Sequence, residues 1–280
     1  MKKLQPPIKY FGGKSLMFNE IMKYFPKSHE YNTYIEAFAG SFSLGLKLDP
    51  IPPIQIYNDL DKNVYSLYKV LSDPEMFKIF KEKCDLVFYS EDIRSEFKEN
   101  LKKHDISIID RAFYFFYINR TSHNGVGGFS KNSYIRRGMS KSVSDFLSSI
   151  DRLQELHDRL SRVIICNQDG IELVQKYNTP NVCLYCDPPY HWSTRTSTRY
   201  SVDMNNDDHI RFINTVIESR AKILISGYHC ELYNILEENG FKKVSFDVKT
   251  ISGNFKPKTK TEYLYYNYEI VGTNNGKSQA

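Results

Sequence analysis

Asp187-Pro188-Pro189-Tyr190 joins a carboxylate, two residues without a backbone N–H and a flat phenol ring. The run before it, Val182-Cys183-Leu184-Tyr185-Cys186, is short and apolar and reads as a buried strand. Proline fixes φ and donates no hydrogen bond, so a turn built this way offers carbonyl oxygens without competing donors. With the Asp187 acceptor and the Tyr190 ring, the corner suits a planar group carrying an exocyclic amine, such as adenine with its N6 nitrogen. A strand-ending turn with a core tyrosine would use the same residues without any ligand.

Two upstream stretches bear on the choice. Tyr34-Ile35-Glu36-Ala37-Phe38 reads as a strand, Ala39-Gly40-Ser41 as a tight turn, and Leu44, Leu46 and Leu48 as the start of a helix. A glycine turn after the first strand of a parallel sheet lets a ligand approach the backbone. The next apolar run, around Ile54 and Ile56, ends in Asn58-Asp59, where α/β folds place a carboxylate for ribose hydroxyls. Without a ligand, Asp59 reads as a helix N-cap. Near the N-terminus, Lys9-Tyr10-Phe11-Gly12-Gly13-Lys14-Ser15 ends like a phosphate-binding loop but lacks its first glycine, since position 8 is Ile8. A backbone nest with one lysine, able to hold a carboxylate, fits better.

These three motifs, in this order, resemble the Dam-type DNA adenine-N6 methyltransferases of the group α arrangement, from about Lys9 to about Tyr268. The resemblance implies an α/β fold: a Rossmann-like, mostly parallel sheet dependent on S-adenosylmethionine, ending in an antiparallel hairpin and interrupted by a mainly helical target-recognition insert. It implies catalytic roles for Asp187, Pro188, Pro189 and Tyr190 around an adenine flipped out of double-stranded DNA. For the cofactor it implies Tyr10 and Lys14, then Phe38, Gly40 and Ser41, Asp59 at the ribose, Asp169 at the adenine amine, and Asp187. Asp169 reads equally as the cap of the helix that follows.

The insert departs from the family pattern. Asn119-Arg120 and Asn124-Gly125 match the Asn-Arg-x-x-x-Asn-Gly stretch, which implies phosphate contacts for Arg120 and Asn124 and a wedge role for His123. Beyond them, the base-reading arginine of GATC-specific members falls at Gly128, and their Pro-Phe-Gly becomes Arg136-Arg137-Gly138. A target other than GATC is therefore expected. Lys131, Arg136, Arg137 and Lys141 have no acidic residue among them and read as a flexible, uncompensated phosphate-binding loop. In the glycine turn, a second glycine common in relatives is replaced by Phe42. Lys249, Lys256, Lys258 and Lys260 either follow the DNA backbone or solvate the last hairpin.

The elements that must position these groups follow from periodicity. Leu60, Val64, Leu67, Tyr68 and Leu71 have helical spacing, and the pattern stays helical from Pro74 to about Ile118. Ser142 with Asp145 reads as a capping box opening a helix whose stripe is Val143, Phe146, Leu147, Ile150, Leu153 and Leu160. Strands are expected at 163–166, 184–186, 222–226, 244–248 and 263–268, and helices near 171–177, 207–218 and 231–239. The expected division is a discontinuous catalytic domain, 1–72 and 162–272, a helical lobe with the recognition insert, 73–161, and a disordered tail, 273–280.

With 280 residues, the chain has room for one large α/β domain and an insert. Its formal net charge of +5 is compatible with DNA without demanding it. Its 21 tyrosines and 18 phenylalanines suit base stacking as well as ordinary packing. No apolar run reaches membrane-spanning length and no secretory apolar core opens the chain, so no membrane partner and a cytoplasmic location, in a bacterium or a phage host, are expected. Five cysteines at scattered positions fit a reducing compartment. Cys183 and Cys186 lie three apart on a strand, facing opposite sides, and His191 brings no second ligand pair, so no metal is expected. A non-catalytic DNA-binding relative, an RNA or protein amine methyltransferase, and a cognate restriction enzyme as partner stay open.

Overall fold

The computed structural model describes residues 4–10, 14, 17–125, 127–194, 201–250 and 258–270. Phe11, Gly12, Gly13 and Ser15 of the N-terminal motif, Val126, Lys256 and the tail 273–280 lie outside the described residues, as do the side chains of Lys249, Lys258 and Lys260.

After a short helix α1 (Phe18–Met22), the chain enters β1 (Thr33–Glu36) and β2 (Ile54–Asn58), then climbs into α2 (Lys62–Ser72), α3 (Pro74–Leu86), α4 (Glu91–Leu101) and α5 (Ile108–Thr121). Each of these four helices opens on an acceptor that binds an orphan N–H: Asp61, Asp73, Ser90 and Ser107. A small hairpin, β3 (Ile135–Arg136) and β4 (Met139–Ser140), leads into α6 (Lys141–Asp151) and α7 (Leu153–Leu160). The chain returns through β5 (Ile164–Cys166), α8 (Gly170–Lys176), β6 (Val182–Cys186), α9 (Asn206–Ile217), β7 (Lys222–Gly227), α10 (Asn234–Glu238), β8 (Lys242–Thr250) and β9 (Lys258–Tyr266).

Seven strands form one sheet in the order β5-β2-β1-β6-β7-β9-β8. The first five are parallel, and β9 runs antiparallel to both β7 and β8. The expected α/β sheet with a terminal antiparallel hairpin is what the chain forms. The strand order reverses between β1 and β6, where Thr33 pairs with Val182 and Glu36 with Tyr185. A crevice opens outside the carboxyl ends of two such strands. All four residues of β1 and all five of β6 are buried, as central parallel strands require.

The two sheet faces carry different cores. One packs Tyr34, Tyr57, Val64 and Leu67 with Phe80, Phe116 and Phe146 in a single cluster, so the helical lobe shares its core with the sheet. The other packs Ile35, Leu184 and Ile223 under Ile171, Phe212 and Val216 of α8 and α9. Cys183 belongs to the first and Cys186 to the second, on opposite faces of their strand.

Four local expectations are corrected. After Gly40 there is no helix through Leu48, only one 3₁₀ turn, Gly45–Lys47. Phe42, at φ 53, interrupts the right-handed path before a helix can start. Asp61, not Asp59, caps α2. The capping box at Ser142 is absent: Ser140 stands at the N-cap of α6, and Ser142 Oγ instead accepts from Asn132 N–H at 3.1 Å. Leu147, expected in the core stripe, is 41% exposed, because the buried face of α6 runs through Ser142, Phe146, Ser149 and Ile150.

Candidate active site

The crevice beside β1 and β6 is a cleft lined from several parts of the chain, with Asp208 and Arg211 of α9 among them. Glu36 to Ser41 come from the end of β1, Asp59 to Asp61 from the end of β2, Asp169 to Ile171 from the start of α8, and Asp187, Pro189 and Tyr190 from the turn after β6. Tyr10 and Lys14 reach it from the N-terminal segment. Every residue assigned to the cofactor from the sequence therefore lines one cavity. Of the four assigned to catalysis, Pro188 is buried and is not among the lining residues.

Lys14 is the centre of the arrangement. Its ammonium donates to Asp187 Oδ1 at 2.9 Å and Oδ2 at 2.8 Å, and to the Tyr190 hydroxyl at 2.6 Å. The lysine was expected to hold a carboxylate, and the one it holds is the chain's own. Burial alone would lower the Lys14 pKa, but the charge of Asp187, aided by Tyr185 and Glu262, raises it above the ordinary value. Burial raises the Asp187 carboxyl above its ordinary value, and the ammonium's charge with the hydrogen bonds from Lys14 and Tyr190 offsets only part of that rise. An ammonium bonded to both oxygens favours the ionised carboxylate. The Tyr190 ring is 8% exposed and meets Tyr228 edge-on at 4.6 Å between centroids.

The turn after β1 is built by left-handed backbone. Gly40 has φ 47, and a Cβ there would lie 2.6 Å from the Tyr10 ring. Its N–H donates to Asp59 Oδ2 at 2.7 Å, while Asp59 Oδ1 accepts from Asp61 N–H at 2.8 Å. Burial raises Asp59 to about 7 against the pull of these N–H groups. Glu36, at the mouth of β1, accepts from Gly45 N–H at 2.6 Å and from the Tyr34 hydroxyl at 3.0 Å, and burial raises it to about 8. Asp169 caps α8 through Ile171 N–H at 2.7 Å and binds Arg211 at 2.5 Å. Carboxylates dominate the wall: Glu36, Asp59, Asp61, Asp169, Asp187, Asp203 and Asp208 face Lys14 and Arg211.

The residues assigned to DNA from the sequence run from the last turn of α5 through the β3–β4 hairpin to the start of α6. Arg120 is half-buried in the last turn of α5, where burial and Arg152 lower its pKa to about 10 despite Asp145. His123 and Asn124 are exposed, Asn124 at φ 53. The segment that follows is not the uncompensated loop expected. Lys131 pairs with Glu91 at 2.7 Å, Arg136 with Asp145 at 2.5 Å, and Lys141 with the same Asp145. The acids come from α4 and α6, outside the stretch that was read. The short β3–β4 hairpin presents Tyr134 and Ile135 at 75% and 82% exposure.

Sequence reasoning missed several contributors. Glu262 of β9 approaches Lys14 at 3.8 Å, and Tyr228 follows β7. Glu262 comes from the antiparallel hairpin and Tyr228 from the loop after the last parallel strand, where nothing local signals proximity to the cleft. Arg94 of α4 is 6% exposed and donates to Ser122 Oγ at 2.9 Å and Gly127 carbonyl at 2.7 Å, fixing the loop that carries His123. A lone arginine inside an amphipathic helix pattern gave no sign of this. Among the described residues, no group of three His, Cys, Asp or Glu side chains gathers as a metal site, and no helix is long and apolar enough to cross a membrane.

With this geometry established, comparison with known proteins is informative. The family model of D12 class N6 adenine-specific DNA methyltransferases matches residues 10–251. The chain is 25% identical over 268 residues to the type II methyltransferase M.MjaIII of Methanocaldococcus jannaschii, covering 86% of this chain and 91% of that protein. It is 24% identical over 243 residues to the retron Ec67 DNA adenine methylase of Escherichia coli, covering 83% and 80%. It is 21% identical over 269 residues to the type II methyltransferase M.CviBI of Paramecium bursaria Chlorella virus NC1A, covering 93% and 98%. The match takes in the N-terminal lysine, the glycine turn, the insert and the Asp-Pro-Pro-Tyr corner together, and the chain belongs to the D12 class of N6 adenine-specific DNA methyltransferases.

Proposed function

We propose that the chain moves a methyl group from S-adenosylmethionine to N6 of an adenine flipped out of double-stranded DNA, at a target other than GATC. One observation carries this reading: the Asp187–Tyr190 corner and the Gly40–Asp59 turn line the same cleft. A wall with seven carboxyl groups beside Lys14 and Arg211 suits a ligand bearing sulfonium and ammonium groups, whose charge would draw the raised Glu36 and Asp59 toward their ionised forms. Tyr10, Lys14, Phe38, Gly40 and Ser41 would hold it, with Asp59 at its ribose, Asp169 at its adenine amine and Asp187 close by. When bound, it supplies an electrophilic methyl carbon.

The protein's own contribution is to make a poor nucleophile competent. The N6 lone pair of adenine is shared with the ring. Asp187, kept ionised by Lys14, and the Pro188 carbonyl accept the N6 hydrogens and favour tetrahedral nitrogen as the nitrogen–carbon bond forms and the carbon–sulfur bond breaks, its electron pair staying on sulfur. The methylated nitrogen then releases one hydrogen as a proton to solvent. The prolines place no N–H in competition. Tyr190 supports the base, and the fixed corner aligns its nitrogen with the donor. Arg120 and Asn124 hold phosphates, His123 fills the gap left in the stack, and Lys131, Arg136, Arg137 and Lys141 follow the backbone. The different target is supported by Gly128 and Arg136-Arg137-Gly138, which stand where GATC-specific relatives carry other residues.

Long-read sequencing of DNA from cells expressing the chain tests the reading. N6-methyladenine is expected at one recurrent motif that is not GATC, and modified GATC would overturn the target assignment. Asp187→Ala is expected to lower the methylation rate by at least about 10²–10³-fold, with the circular dichroism of the native chain. Near-native turnover in that variant would defeat the role given to Asp187.

A further inference from the structure

The segment Ile8–Tyr10 runs between the recognition loop and the cofactor turn and is fixed to both. On the loop side, Asn119 of α5 is 5% exposed and brackets one residue's backbone. Lys9 N–H donates to Asn119 Oδ1 at 2.8 Å, and Asn119 Nδ2 donates to the Lys9 carbonyl at 2.8 Å. The same amide reaches the Gly125 carbonyl at 3.3 Å, and Lys9 Nζ donates to the Ser122 carbonyl at 3.2 Å. Gly125, at φ 84, packs so closely that a Cβ would lie 2.4 Å from the Lys9 carbonyl oxygen. On the other side, the Tyr10 ring covers Gly40. Two left-handed glycines, one from each site, thus enclose the dipeptide Lys9–Tyr10.

We propose that Asn119 is a positioning residue that couples DNA binding to cofactor binding through Lys9 and Tyr10. Its amide holds both polar groups of one residue, which fixes orientation as well as position. A ligand that restrains residues 122–125 restrains Lys9, and less freedom at Tyr10 then remains to be lost when the cofactor binds. Linkage makes the effect reciprocal: each ligand tightens the other by the same factor. The proposal rests on reading the two sites as DNA and S-adenosylmethionine sites, and Asn119 itself is buried and is not among the residues lining the cleft.

The test is calorimetric titration of the full chain with S-adenosylhomocysteine, alone and with a saturating duplex carrying the mapped target. In the native protein the duplex is expected to tighten binding by about 5–150-fold. Asn119→Ala is expected to bring that ratio to within about twofold of unity, and Gly125→Ala, whose Cβ would displace the Lys9 carbonyl and crowd Asn119 Nδ2 at 3.1 Å, to lower it as well. A ratio near unity in the native chain overturns the proposal. So does an unchanged ratio in whichever variants fold. If S-adenosylhomocysteine fails to bind the native chain under either condition, the cofactor reading falls and the coupling with it. Binding with an unchanged ratio removes the coupling alone.

Discussion

Glu36 ends the first strand with a carboxyl buried against Tyr34 and Gly45, and burial raises its pKa from 4.5 to about 8. Asp59 moves the same way, from 3.8 to about 7. A carboxyl with a raised native pKa keeps its proton after the unfolded chain has lost its own, so between the two values the unfolded state binds fewer protons. Stability is therefore full below the unfolded pKa and falls as pH rises through the folded one. The melting temperature of the ligand-free protein is expected to drop from about pH 5 to about pH 8. Glu36→Gln, which still accepts from Gly45, should flatten that drop, and an unchanged slope would assign the titration elsewhere. None of this was legible beforehand. Glu36 sits in a readable strand, but its burial depends on β6 and on the turn that returns Gly45 to it.

The turn after β1 shows how far element-level reading reaches. Central strands were legible because both of their faces are covered, which leaves a continuous apolar run such as Val182 to Cys186. The turn was legible as a turn but not in its outcome. Phe42 adopts a left-handed conformation that favours glycine, at a cost of about 1–2 kcal/mol. Its ring is fully buried, edge-on to Tyr57 at 5.4 Å. Removing a core phenylalanine costs about 3–5 kcal/mol, which exceeds the strain relieved. Phe42→Gly is therefore expected to lose roughly 2–3 kcal/mol of stability in a denaturant titration. A gain would show that the strain outweighs the packing. The false capping box at Ser142 has a similar cause: its hydroxyl is drawn to the recognition segment, where it binds Asn132.

Across the whole molecule, the mild net charge of +5 conceals an uneven division of labour among the basic side chains. Arg136 shares Asp145 with Lys141, whereas Arg137 donates to the neutral Ser148 Oγ at 3.2 Å. A cation already paired gains less from a phosphate. Arg137→Ala should reduce the slope of log affinity against log salt by about 0.9, and Arg136→Ala by less. Equal reductions would cancel the distinction. The basic stretch was visible in the sequence, but its partners were not, since Glu91 and Asp145 lie outside it and only folding brings them near. The same long reach governs assembly. β1 takes β6 as its neighbour, Thr33 beside Val182, with the entire lobe intervening. A polypeptide emerging from the ribosome thus carries its helical lobe before either wall of the cleft has met the other. Closure of that loop, an entropic cost deferred until late in synthesis, is the event that creates a catalyst.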